Sequence, residues 1–220
     1  MKLRGVKFGD YHTVEDWNLI LNSKTITPPK PKTTYVSIAG RDGDLDQSEA
    51  LAGEIKYENR ILNFTFLLTE GTYQDRNDLI SRIMTVVHGK RLNIVLDDNT
   101  SVYFVGRCTV TESSNNNAYG SISIEANCDP FALKLLDTTK TVTLSTTETA
   151  VTLINRGAKT LVPIFTVTGE ATIIYGSSSV TIGAGSHRVP NYILKTGTTT
   201  LKVKGSGQLT ISYKEGYLYV

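Results

Sequence analysis

The chain has 220 residues, with 23 Lys plus Arg against 21 Asp plus Glu, and two cysteines. That length allows one large all-β domain or two smaller ones, each burying a core without disulfides or metal. The near balance of charge excludes both a general basic field for nucleic acid and an acidic tail. No run of about 18 apolar residues could span a bilayer, and the opening MKLRGVKFGD lacks the apolar core of a secretory signal. A soluble protein made in the cytoplasm is therefore expected. The charge is unevenly placed: residues 1–139 carry 15 basic and 18 acidic side chains, whereas residues 140–220 carry 8 and 3. Net values of −3 and +5 point to two units with different surroundings.

In chain order, LRGVKFGDYHTVEDWNLILNSKTIT reads as short strands separated by turns, and the lysine-rich PPKPK that follows is solvated and extended. GRDGDLDQSEA, residues 40–50, sets Asp42, Asp44 and Asp46 at alternate positions beside Arg41. A calcium loop numbered from Asp42 needs glycine at its sixth position and a carboxylate at its twelfth, but Gln47 and Gly53 stand there. The stretch is instead expected to be a hydrogen-bonded turn, with carboxylates capping amides and Gly43 at positive φ. YENRILNFTFLLTEG alternates Leu62, Phe64, Phe66 and Leu68 on a core face with Ile61, Asn63, Thr65 and Leu67 opposite.

TYQDRNDLISRIMTVVHGK is the one clear helix. Thr72 can cap it, Asp75 and Asp78 sit early where the dipole favours carboxylates, and Gly89 suits a left-handed C-terminal residue. Leu79, Ile80, Ile83, Met84 and Val87 form an apolar stripe, so the helix must lie on a sheet. RLNIVLDDNTSVYFVGRCTV is a hairpin turning at Asp97-Asp98-Asn99-Thr100. SISIEANCDPFA then pairs back through SSNNNAYG, which sets Cys108 near position 125 and Cys128 near 105. The offset favours two buried free thiols over a disulfide, and no His or second Cys pair lies close enough for a metal. Beyond Leu136, about eight short Thr-, Ser-, Gly- and Val-rich strands with glycine at most turns, HRVPNYILKTG among them, indicate an antiparallel sandwich.

No catalytic constellation emerges. His12, His88 and His187 are far apart, and His88 in the last helical turn suits the dipole. Asp97 and Asp98 read as turn residues before paired carboxylates, and GAGSH and GSGQL lack the following helix of a phosphate loop. The second unit is mildly basic through Lys195, Lys202, Lys204 and Lys214, while Tyr175, Tyr192, Tyr213, Tyr217 and Tyr219 read as half-buried packing residues. A carbohydrate-binding sandwich stays open as an alternative.

One set of segments taken together is more specific. RGVKFGDYHT, WNLIL, ITPPKPK, YVSIAGRDGDLDQSEA, YENRILNFTF, the helix ending in HGK and the closing ANCDPFA resemble, in order and spacing, the distal tail proteins (Dit-like) of phages with long non-contractile tails and their prophage relatives. INRGAKTLVPIFTVTG and ILKTGTTTLKVKGSGQLTISYKEGYL are similar, more loosely, to the second domain that such proteins carry. The fold expected is mainly β: an N-terminal β-sandwich with one α-helix and a long hairpin over residues 1–135, then an antiparallel galectin-like or carbohydrate-module-like β-sandwich over residues 136–220. The resemblance implies a hexameric ring in the virion tail tip, assembled in the bacterial cytoplasm. Its implied partners are further copies of itself, the tail tube protein, the tip or tail-associated lysin protein and, on the second domain, a receptor-binding protein. A direct cell-wall saccharide role is the alternative. No cofactor, metal, membrane or sequence-specific nucleic acid is expected, and no catalytic residue. Arg41, Asp42, Asp44, Asp46 and Arg60 are the candidate interface residues.

Overall fold

Strict apolar–polar alternation in RILNFTFLL makes the strand on which the first unit is built. In the computed structural model, which describes residues 4–218, the chain divides into units of residues 4–132 and 133–218. The first unit contains β1 (Val6–Phe8), β2 (Tyr11–His12), β3 (Ile20–Ile26), β4 (Pro31–Lys32), β5 (Tyr35–Val36), β6 (Leu45–Asp46), β7 (Lys56–Tyr57) and β8 (Arg60–Leu68). Helix α1 (Tyr73–Val87), β9 (Arg91–Leu96), β10 (Asn99–Asn115) and β11 (Gly120–Cys128) follow, and β12 (Ala132–Lys134) carries the chain into the second unit.

The main sheet runs β2-β1-β9-β10-β11-β8-β3, antiparallel throughout. Leu62, Phe64, Phe66 and Leu68 of β8 are all buried, as the alternation predicts. Phe8 lies four strands away in the ladder, yet its ring centroid is 5.6 Å from that of Phe64 and 6.3 Å from that of Phe66. Four steps of about 4.8 Å would hold these side chains roughly 19 Å apart on a flat sheet. The sheet therefore curls until its two halves face each other, and one continuous ladder makes both layers of the sandwich. Val6, Ile94, Phe104, Ile122 and Ile124 fill the space between.

α1 is closed at both ends by its own sequence. Thr72 accepts from the Asp75 amide while the Asp75 carboxylate accepts from the Thr72 amide, and Gly89 adopts φ 72° just past the C-cap. The buried face is Arg76, Ile80, Ile83 and Val87, whereas Met84, expected inside, is 39% exposed. A spacing of i, i+4, i+7, i+11 is narrower than the five-residue stripe, and the strand on which the helix chiefly rests is β10. His88 is also corrected. It stands at the C-cap and not in the last turn, and its Nδ1 accepts the Val110 amide at 3.1 Å.

The long hairpin of β10 and β11 closes at Asn116–Tyr119, and a bulge between Val110 and Glu112 shifts its register. Cys108 thus faces Ala126 and Cys128 faces Gly106, one residue from the expected partners. A side chain at position 106 would place its Cβ 2.3 Å from the Cys128 sulfur, so glycine is what admits the thiol. Both cysteines are free and fully buried.

The second unit holds β13 (Thr138–Thr143), β14 (Thr149–Asn155), β15 (Ile164–Val167), β16 (Glu170–Tyr175), β17 (Ser178–Ile182), β18 (Gly185–Arg188), β19 (Gly197–Ser206), β20 (Gln208–Tyr213) and β21 (Gly216–Tyr217), the last paired with β12. Two four-stranded antiparallel sheets, β13-β20-β15-β18 and β14-β19-β16-β17, enclose Val151, Leu153, Phe165, Val167, Ile173, Leu201, Val203, Leu209 and Ile211. HRVPNYILKTG differs from expectation. Only His187 and Arg188, which end β18, and Gly197, which begins β19, belong to strands, because Pro190 offers no amide to a ladder. The rest drops Tyr192 and Leu194 into the core, where the Tyr192 hydroxyl donates to the Ile173 carbonyl at 2.8 Å.

Burial pushes both thiols from about 9 up to about 12. The unfolded chain ionises first, so the stability contributed by the neutral buried thiols is intact below pH 9 and declines as pH rises toward 12. Two outcomes are expected: the native protein gives no thiol reaction with Ellman's reagent until denatured, and a Cys108→Ala/Cys128→Ala variant loses less stability across that alkaline window. Rapid reaction of a native thiol would contradict the burial argument.

Candidate assembly interface

Residues 30–59 stand apart from the rest of the first unit: from Lys30 to Asn59 no residue is fully buried. Two minimal ladders, β4 with β7 and β5 with β6, fold this segment back on itself as an arm. Two-residue ladders are marginal on their own. The turn is tied by side chains: Asp46 Oδ1 accepts from the Ser48 amide at 2.9 Å and from its hydroxyl at 2.5 Å, and Ser48 Oγ accepts from the Thr34 amide at 2.9 Å. The hydroxyl and amide of Ser48 hold the Asp46 carboxyl below its ordinary range. Gly43 adopts φ 71°, as a turn of this composition requires.

Arg41, Asp42, Asp44 and Asp46 all lie on this exposed arm. Among the described residues no three His, Cys, Asp or Glu side chains come together to hold a metal. The arm also exposes apolar side chains that the sequence reading passed over: Leu51 is fully exposed, Tyr35 is 58% exposed, and Val36 and Ile38 are close to 40%. Tyr35 and Val36 would read as an ordinary half-buried strand; only the fold reveals that both stay on the exposed side.

Arg60 is placed elsewhere. It is 1% exposed, with Nε donating to the Thr27 carbonyl at 3.2 Å and the guanidinium 5.1 Å from the centroid of the Phe104 ring. Its burial in the first unit replaces the expectation of a surface contact, because the guanidinium fastens the root of the arm from inside. Asp97 and Asp98 form the tight turn between β9 and β10. Asp97 accepts from the Gly5 amide at 2.8 Å and faces His12 Nε2 at 3.1 Å, while Asp98 pairs with Arg4 and Lys24. His88 and His187 bond separately to Val110 and Gly183. The three histidines therefore share no site.

Two buried charges escaped the sequence reading. Arg76 is 3% exposed and donates to the Gly71 carbonyl (2.6 Å), Asn115 Oδ1 (2.8 Å) and the Asn116 carbonyl (2.6 Å). Asn115 Nδ2 returns bonds to the Tyr73 carbonyl and Asn77 Oδ1. This network fastens the tip of the long hairpin to the start of α1. The available signal was positional, since Arg76 lies four residues before Ile80 on the same helical face. In the second unit Glu215, 2% exposed, accepts from the Arg156 amide (2.8 Å), Lys134 Nζ (3.1 Å) and the Tyr217 hydroxyl (3.0 Å). Burial alone would raise its pKa, but these donors outweigh it and hold the carboxyl below its ordinary value of 4.5.

The architecture is a curled sheet bearing one helix followed by a two-sheet sandwich. The solved structure of the SPP1 Dit (gp 19.1) protein, described as a paradigm of the hub adsorption apparatus in phages that infect Gram-positive hosts, is similar to it with a TM-score of 0.75. The similarity covers 98% of this chain and 100% of that one at 15% sequence identity, and at that identity it is a likeness of fold. No family model matches the chain, and no curated protein does.

Two measurements check the buried charges. Arg76→Ala leaves two backbone carbonyls and an amide oxygen without their donor and is expected to lower unfolding free energy by about 3 kcal/mol in urea titrations, whereas the exposed Arg82→Ala changes it by less than about 0.5 kcal/mol. For Glu215 the depressed pKa means its contribution is present above the ordinary carboxylate range and is lost as pH falls through the lower folded value. Glu215→Gln should be less stable near neutrality and show a shallower loss of stability on acidification; an acid limb as steep as the parent's would contradict the assignment.

Proposed function

We propose that this chain is a structural subunit of a phage tail tip: copies close into a hexameric ring hub between the tail tube and the tip proteins. The observation that carries this reading is the full-length likeness to the SPP1 Dit hub fold, across both units and without unmatched domains on either side. The arm supports it physically. An extended segment with apolar side chains outward and no core of its own gains stability only when another surface covers it. Residues 41–54 carry Arg41 against Asp42, Asp44, Asp46, Glu49 and Glu54, so the covering surface is a basic or neutral one with apolar sockets.

A repeated head-to-tail contact of one arm with the next copy generates a closed ring when the rotation closes. The two-residue strands of the arm, and the open edge of β3, offer backbone donors and acceptors for pairing across that contact. In this reading the first unit makes the ring and meets the tube and the tip or tail-associated lysin protein. A receptor-binding protein docks on the second unit. The chain works in the virion tail after assembly in the bacterial cytoplasm, and no bond is made or broken by it.

Sedimentation velocity on the full chain tests the proposal. A species of six-fold monomer mass is expected, and Leu51→Asp with Tyr35→Ala, both at exposed positions, should shift it toward monomer without changing the melting of the monomer itself. A monomer at all concentrations, or a ring indifferent to both substitutions, counts against the arm as the ring contact.

A further inference from the structure

At one edge of the second unit the two sheets end in edge strands, β13 and β14, each paired on one side only. Between them lies a cavity of about 200 Å³ lined by Lys134, Thr139, Lys140, Thr152, Arg156 and Glu215, with Tyr213 alongside. That volume equals roughly six or seven waters. We infer that this cavity is a binding site for a small phosphorylated, hydroxyl-bearing ligand, a sugar phosphate in its chemistry.

The edge of β14 explains the choice. Alternate residues of an antiparallel edge strand turn both amide and carbonyl outward. At Ile154 both are taken by the Tyr213 hydroxyl, at 3.3 Å from the amide and 2.8 Å from the carbonyl. At Arg156 the amide is taken by Glu215. Thr152 is the next residue in that alternation, and among the described hydrogen bonds nothing fills its outward amide or carbonyl. An oxyanion suits the amide, and a hydroxyl suits the carbonyl.

Charge selects phosphate over a neutral group. The charged groups facing the cavity are Lys134, Lys140, Arg156 and Glu215. Glu215 is neutralised by Lys134 on the floor, with Thr138 beside them. The side chains of Lys140 and Arg156 make no ion pair among the described residues, which leaves two cations at the rim. By contrast Lys202 and Lys204 are matched by Glu148, and Lys214 by Asp137. The excess positive charge of this unit is thus partly gathered where an unfilled backbone amide and the Thr139 and Thr152 hydroxyls meet. The site is independent of whether the chain forms a ring.

Isothermal titration of the full chain with three probes separates the contributions: glucose 6-phosphate, inorganic phosphate and glucose. Glucose 6-phosphate is expected to bind most tightly, phosphate more weakly and glucose not at all. Lys140→Ala/Arg156→Ala, both at exposed positions, should weaken glucose 6-phosphate by about tenfold or more. Lys195→Ala, which removes one charge elsewhere on the unit where the cavity variant removes two, should change it by less than about twofold. The inference is overturned if no probe binds, if glucose matches glucose 6-phosphate, or if Lys195→Ala weakens binding as much as the cavity variant.

Discussion

Phe8 meets Phe64 and Phe66 edge to face although its strand stands four places from theirs in the sheet. Every other feature of the first unit follows from that closure. A curled ladder buries one face of each strand completely, which is why the alternation in β8 is so strict and why both thiols lie in the dark. The strands, with Ile80, Ile83 and Val87 of α1 and Leu19 before β3, supply the core of this unit. The segment between β3 and β8 is then surplus to the interior, and residues 30–59 leave the body as an arm on which Tyr35, Val36, Ile38 and Leu51 stay exposed.

Buried charge plays a consistent part in this arrangement. Arg60 sits at the root of the arm, Arg76 at the tip of the long hairpin and Glu215 at the edge of the second sandwich. Each satisfies backbone carbonyls or amides that a loop or strand end would otherwise leave bare. An ion or guanidinium in such a place adds little net stability over an apolar replacement of the same shape, but it fixes geometry, because removing it strands several groups at once. In the proposed ring, defined loop positions matter more than additional free energy.

Much of this was legible in the residues. The β8 alternation, the Thr72-to-Asp75 capping box and the Gly89 stop each follow from local chemistry, so the strand and helix could be placed without the fold. Arg76 was not legible, because a charged residue in a helix ordinarily marks the solvated face, and only the hairpin tip coming back to meet it makes burial affordable. Register was lost to a single bulge at Val110/Glu112 that no composition announces. HRVPNYILKTG has strand-like content, and Tyr192 and Leu194 do enter the core, but Pro190 prevents the ladder. The aspartate turn was correctly read as a turn. That it belongs to an uncovered arm depends on long-range packing, which a local reading does not contain, and the interior placement of Arg60 was missed for the same reason.

The central claim is that copies of this chain cover one another's arms in a closed ring. Negative-stain images of the purified full-length protein test it most directly. The account predicts class averages of closed rings with six-fold symmetry. Isolated single copies at every concentration, with the arm left in solvent, would contradict it.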